Sequence, residues 1–367
     1  MNSQHTTATD AQGKNTDAPV AASGRDALLS SLDALYQGRK PKQYDNPNPR
    51  SRGGEDPLDS ICVWRRAEPI PHWHYVTMGF SDLHAKQSKD PAISGFGFEL
   101  SFRLAADPGA SEPPLWPMLL MQSLARYVFK SGNAFHHGHH VNINGPISLG
   151  SPTHLCALGF AFDQEMPAIE TANGHVAFLQ MIGLTMDEER VAQQWETGKL
   201  LDLLRPRMPL WITDLKRGTL LAMAQVSSMA YEGIRKDGSS CVAVNTDLLL
   251  VKESKKFLRR PVAEITLGAR QIAQLAELLP LRLPFGRTFT LSGPRWKLHF
   301  ELGKRNKWTV EAGVLRFVIG SDSVQEFATL LHPRMGVYKL PAFQHILWNV
   351  QQTFIRNASG DVVDIIG

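Results

Sequence analysis

The sequence predicts an α+β protein built as two domains. Three observations carry that expectation. The chain has 367 residues, above the roughly 100–200 residues usual for one domain. Strand-period and helix-period runs occur in both halves without a βαβ rhythm. Apolar residues make up 43% and charged residues 20%, a globular rather than a disordered composition. The expected divisions are a disordered leader over 1–24, a first domain over 25–220 and a second over 221–367, meeting between about 205 and 255.

The leader is polar and lacks the apolar core of a signal peptide. A helix follows, with Leu28, Leu29, Leu32, Leu35 and Tyr36 at helical spacing, and stops in a Pro/Gly-rich stretch from Gly38 to Pro57. Residues 73–80 read as a strand. In the next strand Phe96, Phe98, Leu100, Phe102 and Leu104 share one face, and Gly97, Glu99, Ser101 and Arg103 the other, which predicts one dry face and one polar face. Pro117 opens a helix striped by Leu120, Leu124, Tyr127 and Val128 and ended by Ser131-Gly132-Asn133. Strands are expected at 155–162 and 176–184. Thr185 with Glu188 forms a capping box for a helix running through Trp195 to Pro206, before a short strand at 210–213.

The second half predicts strands at 242–251 and 262–267, then a helix bearing Ile272, Leu275 and Leu279. Residues 296–302 alternate, and 303–306 should close a hairpin onto 308–310, with a third strand at 314–319. Ser323 and Glu326 should cap a helix bearing Phe327, Leu330 and Leu331. A final helix is expected over about 341–356, then a strand at 362–366.

Charge is uneven. Residues 1–208 hold 18 Lys+Arg against 22 Asp+Glu, and residues 209–367 hold 21 against 13. The basic groups of the second half include Lys252, Lys255, Lys256, Arg259 and Arg260. The second half could therefore face an acidic partner, nucleic acid or the first half. Three distant cysteines, Cys62, Cys156 and Cys241, make no disulfide framework and read as buried thiols of a reducing cytosol. No apolar run reaches the roughly 18 residues of a membrane span, so a soluble, cytoplasmic monomer is expected.

Catalytic signatures are missing: no G-x-S-x-G, no P-loop, no H-E-x-x-H, and Gly95-x-Gly97 leads into a strand rather than a helix. The His136-His137-Gly138-His139-His140 turn could bind a metal, but neighbouring histidines of an extended segment point apart. Glu99, Asp82 and Asp214 are acid/base candidates without a partner, and Glu99 beside Arg103 reads as a satisfied surface or cleft residue. Two alternatives stay open: a metal-dependent or other enzyme using the 136–140 turn with Glu99 or Asp82, and a nucleic-acid binder using the basic second half. No cofactor is expected.

The order of certain segments is distinctive. Leu32–Tyr36, Asp45–Pro49, Asp56–Asp59, His72–Leu83, Ser94–Leu104, Pro113–Pro117, Ala125–Phe129, Phe178–Gln180, Gln193–Trp195 and Trp211–Asp214 together resemble the Suppressor of fused family over about residues 28–220. That resemblance implies a non-enzymatic binding protein, which in animals regulates Hedgehog signalling by clamping a Gli peptide between two domains as an added strand. It implies that Tyr127 stands where the family has a peptide-contacting tyrosine, and the expected partner-binding set is Tyr127 and His139 with Phe135, His137 and Glu99. His139 stands where the animal proteins carry an aspartate that holds the peptide, so a chemically different partner is implied. The chain lacks the acidic low-complexity insertion of the animal proteins. In this it is similar to bacterial members that resemble immunity proteins of polymorphic toxin systems.

Overall fold

The structure, a computed structural model, describes residues 23–254, 262–357 and 360–367. The expected leader, and Lys255, Lys256, Arg259 and Arg260, lie outside the described residues apart from 23–24 at the leader's edge.

The chain opens with α1 (Gly24–Tyr36). Ser23 Oγ accepts from Asp26 N–H at its start, and Leu28, Leu32 and Tyr36 form its buried stripe. Strands β1 (Lys42–Asp45), β2 (Ser60–Arg66), β3 (His72–Met78) and β4 (Ile93–Ala105) lead to α2 (Trp116–Ser131), which Gly132 ends in the left-handed conformation. Then come β5 (His140–Asn142), β6 (Leu155–Phe162), β7 (Ile169–Thr171) and β8 (Gly174–Thr185). These eight strands form one sheet in the order β1-β2-β3-β4-β8-β6-β5, with β7 paired to β8. Helices α3 (Met186–Gln194), α4 (Thr197–Leu204) and α5 (Ala224–Asp237) pack on β6 and β8 through Ala157, Ile182, Leu184, Leu200, Val226 and Ile234.

The second domain begins with β9 (Ala243–Asn245), β10 (Leu249–Ser254), β11 (Val262–Gly268), α6 (Ala269–Arg282), β12 (Phe289–Ser292), β13 (Lys297–Gly303), β14 (Lys307–Glu311) and β15 (Val314–Gly320). It ends with α7 (Val324–Thr329), β16 (Gly336–Tyr338), β17 (Ile346–Gln351), β18 (Thr353–Arg356) and β19 (Val362–Ile366). Two sheets, β10-β11-β17-β16 and β14-β15-β13-β12-β9, share one apolar core with α6 and α7. Phe300, Phe317, Phe327 and Trp348 stack within it. The α+β class and the pairing of two domains hold.

Several local expectations give way. The predicted last helix is strand: Ile346, Trp348 and Val350 alternate into the core as β17 runs parallel to β11. The hairpin over 303–306 does not form, because β15 inserts between β13 and β14, parallel to the first and antiparallel to the second. The capping box at Thr185 is present, but its helix breaks at Trp195, whose indole donates to Asp237 at 2.9 Å and packs on Gly233. Residues 209–211 form a 3-10 turn rather than a strand, and only Thr213 bridges to Leu104. Ser323 makes no side-chain cap, and Glu326 instead accepts from Ala342 N–H. The run expected at 242–251 divides into β9 and β10. Helix α5 was not foreseen, and it extends the first core past residue 220 to Ile234.

The polar face of β4 is not exposed. Helix α1 covers it, so the sheet is buried on both faces, with α2 over Phe98, Leu100 and Phe102 on the other.

Candidate functional site

A buried polar spine runs along that covered face. Glu99 is fully buried. Its carboxylate accepts from Thr77 Oγ1 and Ser81 Oγ at 2.6 Å and from the N–H groups of Gly79, Phe80 and Ser81 at 2.9–3.3 Å. Burial still pushes its pKa up against those bonds. Glu99 thus holds the turn after β3 and has no surface to offer a partner. This corrects its expected place on a surface or cleft.

Arg103, also fully buried, donates to Asp163 at 2.5 and 2.9 Å, to Gln180 at 2.7 Å and to Glu165 at 3.0 Å. Burial works to raise Asp163, but Arg103 outweighs it and holds the carboxyl at about 2. His74 bonds the Tyr36 hydroxyl and stands 3.7 Å from Asp163; burial, helped by Arg103, drives its pKa well down. These groups bond one another within the buried face, although His74 Nε2 and Arg103 Nε are left without a hydrogen-bond partner.

The expected site residues separate into three places. Tyr127, half exposed on α2, accepts from Asn133 Nδ2 at 3.4 Å and lies 6.0 Å from the Phe135 ring. Phe135 is buried, stacked 4.3 Å from Phe160, so it supports the surface from within rather than forming it. His137 stacks on Phe162 at 4.9 Å, and its Nδ1 accepts from Phe162 N–H. His139 packs edge-on to His136 at 5.1 Å; burial, then His136, lowers its pKa. His140 turns inward, 3.0 Å from Thr197 Oγ1, with a pKa lowered to about 4, first by burial and then by His139. The four rings of the turn therefore do not converge. Among the described residues no three metal-ligating side chains gather around one point.

A cleft of about 980 Å³ lies between the domains. His139, His140 and Asn142 line one side and Ala243, Asn245 and Thr353 the other. Strands β5 and β9 are each the edge of their sheet. Phe160 N–H bonds His139 O, and Ile143 N–H bonds Cys156 O. The antiparallel alternation then turns the backbone groups of His140 and Asn142 away from β6. On the other side Thr290 N–H bonds Val242 O, and Thr246 N–H bonds Ser292 O, so Ala243 and Asn245 turn away from β12. Two open strand edges thus border one cleft.

Polar contacts close the domains around it. Arg190 pairs with Glu277, Gln194 donates to Glu277 at 3.1 Å, and Arg270 donates to Asn144 at 3.2 Å. The Arg190–Glu277 pair beside the cleft joins a cation of the first half to an anion of the second, the reverse of the gross charge balance, whereas Lys216–Asp107 and Arg217–Glu188 follow that balance. The linker is bonded on both sides: Ser239 Oγ donates to Gln193 O, and Arg282 and Arg287 donate to Ser239 O. Among the described residues no helix is long and apolar enough to cross a membrane.

Sequence reasoning named His139, which lines this cleft, but read residues 136–140 as a turn and placed no strand at His140–Asn142. It missed Glu189, Arg270 and Gln274, which join the cleft from helices far apart in the chain. The signal available was weak: Glu189 and Gln193, one turn apart, share a helix face.

Residues 54–218 match the family model of Suppressor of fused protein (SUFU). The chain is 37% identical over 238 residues to the Suppressor of fused homolog of Homo sapiens, an alignment covering 58% of this chain and 49% of that protein. The Mus musculus homolog matches equally, with 37% identity over 238 residues. The chain thus spans about half the length of the curated relatives it matches. The crystal structure of Drosophila Suppressor of Fused superposes with a TM-score of 0.75 at 21% identity, over 90% of this chain and 97% of that one. At that identity the likeness is one of fold, and it takes in the second domain. A chain from the crystal structure of the Sufu–Fu complex superposes with a TM-score of 0.53 at 27% identity, over 59% of this chain and 98% of that one.

Proposed function

Starting from the premise that this chain is a member of the Suppressor of fused family through its first domain, we propose that it is a non-enzymatic clamp. It binds an extended segment of another polypeptide between β5 and β9. The observation that carries this reading is the pair of open strand edges bordering one cleft. An added strand would pair with the outward backbone groups of His140, Asn142, Ala243 and Asn245, of which the Ala243 carbonyl has only a weak 3.5 Å contact from Cys241 Sγ. Each backbone bond made there is worth roughly 0.5–1.5 kcal/mol net. A relative crystallised as a Sufu–Fu complex supports a protein as partner. Tyr127 and His139 belong to the binding surface in this reading, with Phe135 and His137 beneath and beside it and Glu99 bracing the sheet. The chain acts as a monomer in the cytoplasm, and its partner includes the toxin domains that an immunity protein would sequester.

Ala243→Pro tests the clamp. Proline there removes the N–H that faces the cleft and keeps the β12 ladder, as edge strands tolerate. Binding of a selected peptide, followed by fluorescence polarisation, should fall about tenfold or more while the melting temperature holds. Unchanged affinity would sink the clamp.

A further inference from the structure

One wall of the cleft carries acceptors that the protein itself leaves short of donors. Glu189, on α3, lines the cleft with its carboxyl 14% exposed. Its contacts are long: 3.5 Å to Asn142 Nδ2 and 3.6 Å to His140 Nε2. That histidine is held neutral, so it supplies no charge. Arg270 acts on Glu189 through space, yet its Nη1 is engaged by Asn144. Among the ion pairs of the described residues, Glu189 makes only the one with His140. Across from it on α6, Gln274 lines the same cleft, and its Oε1 is buried without any hydrogen-bond partner. An orphaned buried carbonyl is costly, because it has given up its bonds to water and gained none. A desolvated carboxyl short of donors costs more, and burial indeed pushes the Glu189 pKa up. Helices α3 and α6 are fixed to each other through Glu277, so both acceptors sit on a set frame.

We propose that Glu189 and Gln274 form the side-chain recognition subsite of the cleft, and that it takes the lysine or arginine of the bound strand. A basic side chain brings the several N–H donors that both acceptors lack, with a charge-assisted bond to the carboxylate. Glu189 then does more than fill the wall: it selects which strand may lie between the two edges. This inference rests on the clamp reading and deepens it.

The test is a phage-displayed library of random linear peptides panned against the full chain and, in parallel, against its Glu189→Gln variant. The expected result is a shared Lys or Arg at one position of the wild-type binders. Affinity for such a peptide should drop about tenfold or more in Glu189→Gln and again when the peptide's basic residue becomes Ala. Gln274→Glu should tighten the same peptide, a gain that a merely structural role would not give. Melting curves verify that the variants fold. Binders that Ala243→Pro abolishes but that show no basic position, or bind Glu189→Gln equally, overturn this inference and leave the clamp standing. Failure to select any peptide that Ala243→Pro displaces overturns both.

Discussion

The two domains solve the problem of a dry interior in opposite ways. The second fills its core with aromatic and aliphatic side chains stacked between two sheets and two helices. The first threads a polar spine through its centre. All but three of the buried polar side chains among the described residues lie in the first domain or its sheet, the exceptions being Ser239, Gln271 and Arg282. Apolar packing is forgiving of shape, since any well-fitting set of hydrocarbons will do. A buried carboxylate with five donors tolerates one arrangement only, because every unmet bond is costly in a low dielectric. The domain that positions β5 and the histidine turn is thus the one whose geometry is most tightly dictated.

Breaking that spine should have the largest effect. Arg103→Met strands Asp163 as an unpaired buried charge and should cost about 3–5 kcal/mol in urea unfolding. Pairing it with Asp163→Leu should recover much of the loss. Phe300→Ala in the second domain should cost a similar amount, about 3–5 kcal/mol, but no second substitution would rescue it. Absence of rescue in the first domain would erase the contrast.

Acid should separate the domains next. His72 is lowered to about 4 by burial, His140 also to about 4, and His74 well below its usual value. The unfolded chain takes up these protons from about pH 6.5 downward, while the folded chain refuses them until about pH 4. Stability is therefore lost as pH falls through that window, by up to roughly 3 kcal/mol for each histidine held near 4. Asp163, held at about 2, keeps its contribution there and loses it only at lower pH. In the second domain the partly buried His299 is also lowered, first by burial and then by Arg316, but no described histidine there is fully buried, and calorimetry at falling pH should show its transition move less. Equal shifts would break the comparison. The smallest effect on folding belongs to Tyr127→Ala, which removes a half-exposed ring and should cost under about 1 kcal/mol while weakening peptide binding. Unfolding by this change, with normal binding by the surviving fraction, would reduce Tyr127 to core.

Local patterns in the sequence disclosed β4, α2, the capping box of α3, the alternation of β13 and the strand β15. Each is written within a dozen or so residues. The misplaced elements depend on distant neighbours. β17 alternates in Ile346, Trp348 and Val350, but only its parallel pairing with β11, over eighty positions earlier, decides strand against helix. The odd-numbered face of β4 looked solvent-facing because its countercharge, Asp163, comes sixty positions later. Helix α5 went unnoticed because its stripe of Val226, Ala230 and Ile234 is thin. The cleft was legible only at His139, since Glu189 and Gln274 meet through packing that no local spacing records.

The shortness of β5 and β9 has a consequence for selectivity in a crowded cell. Each edge is three residues long. Main-chain pairing along so brief a border is too weak to hold an arbitrary strand against the entropy of capturing it. Stray sheets and unfolded chains would leave as quickly as they arrive. What stays must bring side chains that suit the walls, so brevity makes the groove an examiner of sequence and spares the protein a sticky flank.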